Sequence, residues 1–323
     1  MRLLYCSLLV ASAVFAQPPG PGLPADSAVR IREFYRLAAQ AQNTVWPDWS
    51  KAPDALLLVT PAYEYLTRHS TPKDFQPAGK DFAVRPRQFE PNLQATFPAF
   101  GSTPVIVIGE AQNTSSKTST PWIITLLHEH FHQLQYSQPD YYPGTEKLGL
   151  SKSAPNGMWM LNYPFPYDQE DTSRAFSALR DKLLSAVLET DPTKFKTSAA
   201  AYLAARQRFL AQLAEADRKY FEFQLWQEGI ARYTEIKVAE AAETYRPTPE
   251  YAALADFTPF ADFGAKRRQT TLDELKSVSL AQRKREAVYS FGATEGMLLD
   301  RLRPNWKASY FTRPFAVGPY FDN

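Results

Sequence analysis

The chain has 323 residues and carries 36 Lys and Arg against 34 Asp and Glu, a formal charge of +2. With 44% hydrophobic and 22% charged residues it falls in the globular range, which excludes a largely disordered chain. So balanced a charge also excludes a protein held to nucleic acid by phosphate neutralisation, and no nucleic-acid partner is expected.

The first predicted element is a leader. Residues 3–16 are apolar behind a single Arg2 and end in Val14-Phe15-Ala16 before a Pro/Gly-rich segment. The run is shorter than the roughly 20 residues a spanning helix needs. Its layout is that of a secretory signal over residues 1–16, the alternative being a retained anchor. Cleavage after Ala16 removes Cys6, the only cysteine. The expectation is an exported protein, periplasmic or secreted, without a disulfide and without membrane attachment.

Asp26 or Ser27 is placed to cap a helix over Val29, Ile31, Phe34, Tyr35 and Leu37 that ends near Trp46-Pro47. Residues 55–60 read as a buried strand, 71–103 as loop with short strands, and 104–109 as the clearest strand. Thr120-Pro121 predicts the start of a helix that runs to about Ser137. Residues 138–168 read as loop. Four helices follow. One is capped by Asp171, with Phe176, Leu179, Leu183 and Val187 on one face. The next carries Tyr202, Phe209 and Leu213, and a third carries Phe221, Leu225, Trp226, Ile230 and Tyr233. The last runs from about 280 to 302. This order predicts an α+β fold, with a mixed-sheet lobe over residues 17–140 and a mostly helical lobe over 141–323. Trp122, Trp159 and Trp226 are assigned to the core. The clusters Lys266-Arg267-Arg268 and Arg283-Lys284-Arg285 are assigned to solvated faces.

Three of the four histidines lie within five residues, in His128-Glu129-His130-Phe131-His132. On a helix, four residues advance about 6 Å and about 400°, so His128 and His132 share one face and can reach one metal. This is the His-Glu-x-x-His pattern of zinc peptidases, with Glu129 beside the pair as a general base. His130 points some 200° from His128 and cannot join them. Were the segment a strand, all three histidines would face one way and form a three-histidine site. The length of the run after Thr120-Pro121 argues for the helix. A catalytic zinc needs a third protein ligand. No histidine follows His132, and His69 lies upstream in a polar stretch, so the third ligand should be a carboxylate. Glu228, in Leu225-Trp226-Gln227-Glu228-Gly229-Ile230-Ala231-Arg232-Tyr233, is the candidate. Gly229 and Ala231 beside it would let another helix approach closely. Glu235, two turns on, could accept from a ligand histidine or pair with Arg232.

These two blocks resemble the gluzincin metallopeptidases, the aminopeptidase N-like and thermolysin-like enzymes. The resemblance implies a zincin-like fold with the active-site helix in the N-terminal lobe. It implies one Zn2+ per chain held by His128, His132 and Glu228, with Glu129 as general base and a peptide or protein as substrate. It also implies an oxyanion donor about 60 residues past the ligand glutamate, where Tyr289 stands, with Tyr233 and Tyr245 as fallbacks. The strand at 104–109 would be the sheet edge along which a peptide lies. The chain departs from the pattern in placing 95 residues (133–227) between the second histidine and Glu228. Residues 138–217 are therefore expected to be an insertion. The exopeptidase Gly-x-Met-Glu-Asn motif is absent, so no aminopeptidase activity is implied. The competing expectation is a non-catalytic protein of the cell envelope that uses the same scaffold for binding.

Overall fold

The computed structural model of the protein describes residues 21–151 and 157–322; the leader assigned to residues 1–16 lies outside them. Apolar side chains at helical spacing make α1 (Ala25–Val45), which buries Ile31, Phe34, Leu37, Ala41 and Val45. Neither predicted cap is used. The residue before the helix is Pro24, and the Ser27 hydroxyl donates to Glu110 Oε1 at 3.1 Å.

Six strands follow: β1 (Leu56–Val59), β2 (Tyr63–Thr67), β3 (Gln76–Pro77), β4 (Phe82–Pro86), β5 (Gln94–Phe100) and β6 (Thr103–Gly109). They form one mixed sheet in the order β3-β4-β2-β1-β6-β5. β1 and β6 pair in parallel, Leu56 opposite Ile106, and every other pair is antiparallel. The unbroken apolar runs in β1 and β6 are explained by burial on both faces. Leu56, Leu58, Ile106 and Ile108 face the helices, while Leu57, Val59, Val105 and Val107 pack with Leu66 and Phe75 on the other side. β6 is therefore interior. The edge on this side is β5, which corrects the expectation of a substrate edge at 104–109.

The long helix α2 (Ser119–Tyr136) packs on β5 and β6. It starts two residues before Pro121, because proline is tolerated in a first turn whose N–H groups are unpaired anyway. The Thr120 hydroxyl, at the predicted start, caps nothing and donates to the Thr258 carbonyl. The stretch expected as loop holds two short helices, α3 (Tyr141–Lys147) and α4 (Trp159–Asn162). Then come α5 (Glu170–Leu188) and α6 (Pro192–Gln212), which pack on each other, and α7 (Glu215–Gln224). Asp171 sits inside the first turn of α5 rather than before it, where its charge still suits the helix N-terminus. A π-helical turn (Leu225–Gly229) joins α7 to α8 (Ile230–Ala241). The remaining helices are α9 (Pro249–Ala252), α10 (Phe263–Ser277), α11 (Leu280–Arg283) and α12 (Ala287–Leu302). The expected single helix over 280–302 is broken, since Lys284 takes φ 48° and restarts the chain into α12. The architecture is α+β, a mixed sheet flanked by helices and followed by a helical half. No helix among the described residues is long and apolar enough to cross a membrane. Trp122, Trp159 and Trp226 are all buried in the core, as assigned.

Candidate metal centre

α2 is helical through the histidines, so His128 and His132 share a face and the strand-borne arrangement is ruled out. His130 faces the opposite way. Its Nδ1 is 2.9 Å from Gln133 Oε1, its Nε2 is 3.0 Å from Gln42 Oε1, and its ring stacks on Trp49. Burial pushes it down to about 4, a neutral core histidine. His69 is half-buried on the far side of the sheet, edge-on to Phe100.

The π turn presents Glu228 to this histidine face. His132 Nε2 lies 3.2 Å from His128 Nε2 and 3.4 Å from Glu228 Oε2, and His128 Nε2 lies 3.9 Å from Glu228 Oε2. Ligands at 2.0–2.1 Å in tetrahedral geometry stand about 3.3 Å apart, so the three atoms have the spacing of one zinc ion's donors. His128, His132 and Glu228 form the one such group among the described residues.

Two glycines bring the elements together. A Cβ on Gly229 would lie 2.6 Å from the Gly292 Cα, so α12 runs directly against the π turn. This contact brings Tyr289, one turn earlier on α12, and Arg285 before it to the Glu228 carboxylate. Arg285 Nη1 is 3.4 Å from Glu228 Oε1 and 3.3 Å from the Tyr289 hydroxyl. The Tyr289 ring stacks on His128 at 6.3 Å. Burial, joined by the Glu228 charge, raises the Tyr289 phenol well above its ordinary value, so it stays protonated. Tyr233 and Tyr245 do not reach the site; their hydroxyls bind Asp300 and Glu33.

The donor set is oriented from behind. Gln135 Nε2 faces the Trp226 and Gln227 carbonyls at 3.1 and 3.2 Å and the Tyr310 hydroxyl at 2.8 Å. Its amide is thereby fixed with Oε1 toward His132 Nδ1 at 2.7 Å. An acceptor at this distance favours the proton on Nδ1, which leaves the Nε2 lone pair for a metal. Gln227 Nε2 also approaches that nitrogen, at 3.0 Å. Behind His128, Glu235 Oε2 is 3.3 Å from Nδ1 and 3.5 Å from Arg232 Nε, and Arg267 Nε is 2.6 Å from Oε1. None of these three donors meets hydrogen-bond angles, so charge attraction holds the group. Burial pushes the Glu235 carboxyl up, but Arg232 and His128 outweigh it and keep it ionised. Within the ligand pair, burial opposes charge on both members. The Glu228 carboxylate nonetheless raises His132, and His132 with Arg285 and His128 holds Glu228 far below the carboxylate range.

Glu129 is anchored from the edge strand. Thr96 Oγ1 on β5 lies 2.8 Å from Glu129 Oε2 and 2.9 Å from its backbone carbonyl. Glu129 Oε1 makes no hydrogen bond among the described residues, so it can accept a proton. The structure thus brings all five expected residues together. It adds Gln135, Thr96 and Arg285, which the sequence reading missed. Gln135 was visible as a polar residue three positions past His132. Arg285 and Arg267 belong to clusters assigned to solvent, and both are corrected here to partners of Glu228 and Glu235. Comparison with protein-family models, curated proteins and solved structures finds no match to the chain.

Proposed function

We propose that the chain is a zinc-dependent peptidase of gluzincin type with a zincin-like arrangement, exported by a leader at residues 1–16. The supporting observation is the convergence of His128 Nε2, His132 Nε2 and Glu228 Oε2 within 3.2–3.9 Å, with Glu129 beside them on the same helix. A zinc ion held by these residues would polarise a scissile carbonyl and lower the pKa of water toward about 7.

The chain's own groups supply the proton handling. Glu129 Oε1 takes a proton from the attacking water and passes it to the leaving amine, while Thr96 holds Oε2 still. Arg285 donates to the Tyr289 oxygen, which leaves the phenol proton for a hydrogen bond to the developing oxyanion. Such a donor is worth a few kcal/mol, on the order of 10²–10³ in rate. β5, the exposed edge beside Glu129, offers main-chain partners to an extended peptide.

The test is metal content by mass spectrometry, with peptide-library cleavage, for protein starting at Gln17 and for two variants. The expected result is one zinc per chain and cleavage. Glu228→Ala should lose or weaken zinc, and Glu129→Gln should keep zinc and lose turnover. Turnover surviving Glu129→Gln refutes the mechanism. Zinc without any cleavage would leave a metal-bearing binding protein.

A further inference from the structure

The site has a cationic side to which the hydrolytic reading gives only a supporting task. Arg285 engages Glu228 and Tyr289 through Nη1 alone; its Nε and Nη2 make no hydrogen bond or ion pair among the described residues. Arg232 faces Glu235 through Nε, and its two Nη atoms are likewise unengaged. The two guanidinium carbons lie 5.7 and 5.5 Å from the Tyr289 ring centroid. These side chains are 23% and 19% exposed, so they are held firmly yet reachable from solvent.

Charge shows what such an edge recognises. Arg232, Arg267 and Arg285 balance Glu129, Glu228 and Glu235, and a divalent ion would carry the cluster to +2. A cleft with excess positive charge and low-dielectric walls concentrates anions. The planar fork of a guanidinium matches a carboxylate. Only the Glu228 carboxylate stands between Arg285 and the two ligand histidines, a span that one or two extended residues at roughly 3.3–3.6 Å each would cover.

We propose that Arg285 and Arg232 bind a substrate carboxylate beside the metal ligands, so that the site prefers peptides with a carboxylate within about two residues of the bond to be cleaved. That carboxylate is the C-terminus or an Asp or Glu side chain. In speaking of substrate, the proposal rests on the peptidase reading; the binding itself does not.

The experiment uses zinc-loaded Glu129→Gln protein, in which peptides bind without turnover. One tetrapeptide is titrated calorimetrically as the free acid, as the C-terminal amide, and as the amide with Glu in its penultimate position. The free acid or the Glu-bearing amide should bind at least tenfold tighter than the plain amide, and whichever does so identifies the source. Adding Arg285→Gln should cut the preference to twofold or less with zinc retained. Arg232→Gln, which touches no metal ligand, should lower it several-fold and keeps the test decisive if Arg285→Gln loses zinc. Equal affinity for all three peptides overturns the proposal, as does a preference that survives both substitutions. A parent protein that cleaves no member of a peptide library while the preference persists would refute the peptidase reading and leave the carboxylate site standing. Cleavage without preference would do the reverse.

Discussion

Gly229→Ala tests whether the α12 contact sets the geometry of the site. The added Cβ would stand 2.6 Å from Gly292 Cα, 3.1 Å from the Val288 carbonyl and 3.2 Å from the Gly292 carbonyl carbon. Ordinary contact is 3.4–4 Å, so α12 and the π turn must separate by about 1 Å. Backbone atoms cannot rotate out of the way. Overpacking of this kind costs about 1–3 kcal/mol, and the helix propensity of alanine returns up to about 1 kcal/mol. The net loss should be about 1–2 kcal/mol by urea denaturation, a fall in Tm of roughly 2–6 °C. Function should suffer more than stability, because α12 carries Tyr289 and follows Arg285. A displacement of about 1 Å costs on the order of 100-fold in turnover, with zinc affinity down about tenfold. Gly22→Ala, where an added Cβ meets nothing within 4 Å, is the control and should stay within about 0.5 kcal/mol of the parent. A Gly229→Ala protein with parental stability, zinc affinity and turnover would refute the reasoning.

Other consequences are equally open to measurement. Gln135→Leu frees the His132 tautomer and the carbonyls of the π turn, so zinc affinity by competition titration should drop about 10–100-fold; unchanged affinity would show that Gln135 orients nothing. Thr96→Val should keep zinc and lower kcat, because it releases Glu129 alone; equal loss of zinc would contradict that division of labour. Lys307 donates to the Val45 carbonyl and lies over the Trp46 and Tyr233 rings, and burial lowers it to about 8 from 10.5. Between those values the unfolded chain binds more protons than the folded one, so stability rises with pH. From pH 7 to pH 10 the parent should gain about 2–3 kcal/mol relative to Lys307→Met in urea melts, and a constant difference would exclude a depressed lysine.

What could be read from the sequence was what one helix turn or one short block decides. His128 and His132 are four residues apart, so their common face follows from helix geometry alone, and His130 is excluded by the same rotation. Glu228 is legible because its apolar, small-residue surroundings mark a carboxylate held against the core. Features that depend on a distant partner were not legible. Arg285 and Arg267 look like surface charges until Glu228 and Glu235 are placed beside them. The edge was assigned to residues 104–109, because nothing local says that β5 pairs along β6 and covers it. β2 and α10 carry no signal strong enough to predict them, and the break at Lys284 has no Gly or Pro to announce it.

The π turn gives the site an unusual sensitivity to chain length. Ile230 N bonds back to the Leu225 carbonyl, five residues earlier, so this stretch holds about one residue more than an α-helix would. Excising a single residue between Leu225 and Gly229 would let α7 run straight into α8 with an unbroken ladder. Five residues of π-helix turn the chain about as far as four of α-helix, so α7 and α8 would keep their relative phase. What would be lost is the bulge itself, in which Glu228 stands, so its carboxylate would shift against His128 and His132 while the flanking helices stayed packed. Substitutions at many positions would weaken the centre by degrees, whereas this deletion would displace one ligand in a single step while regularising the local backbone.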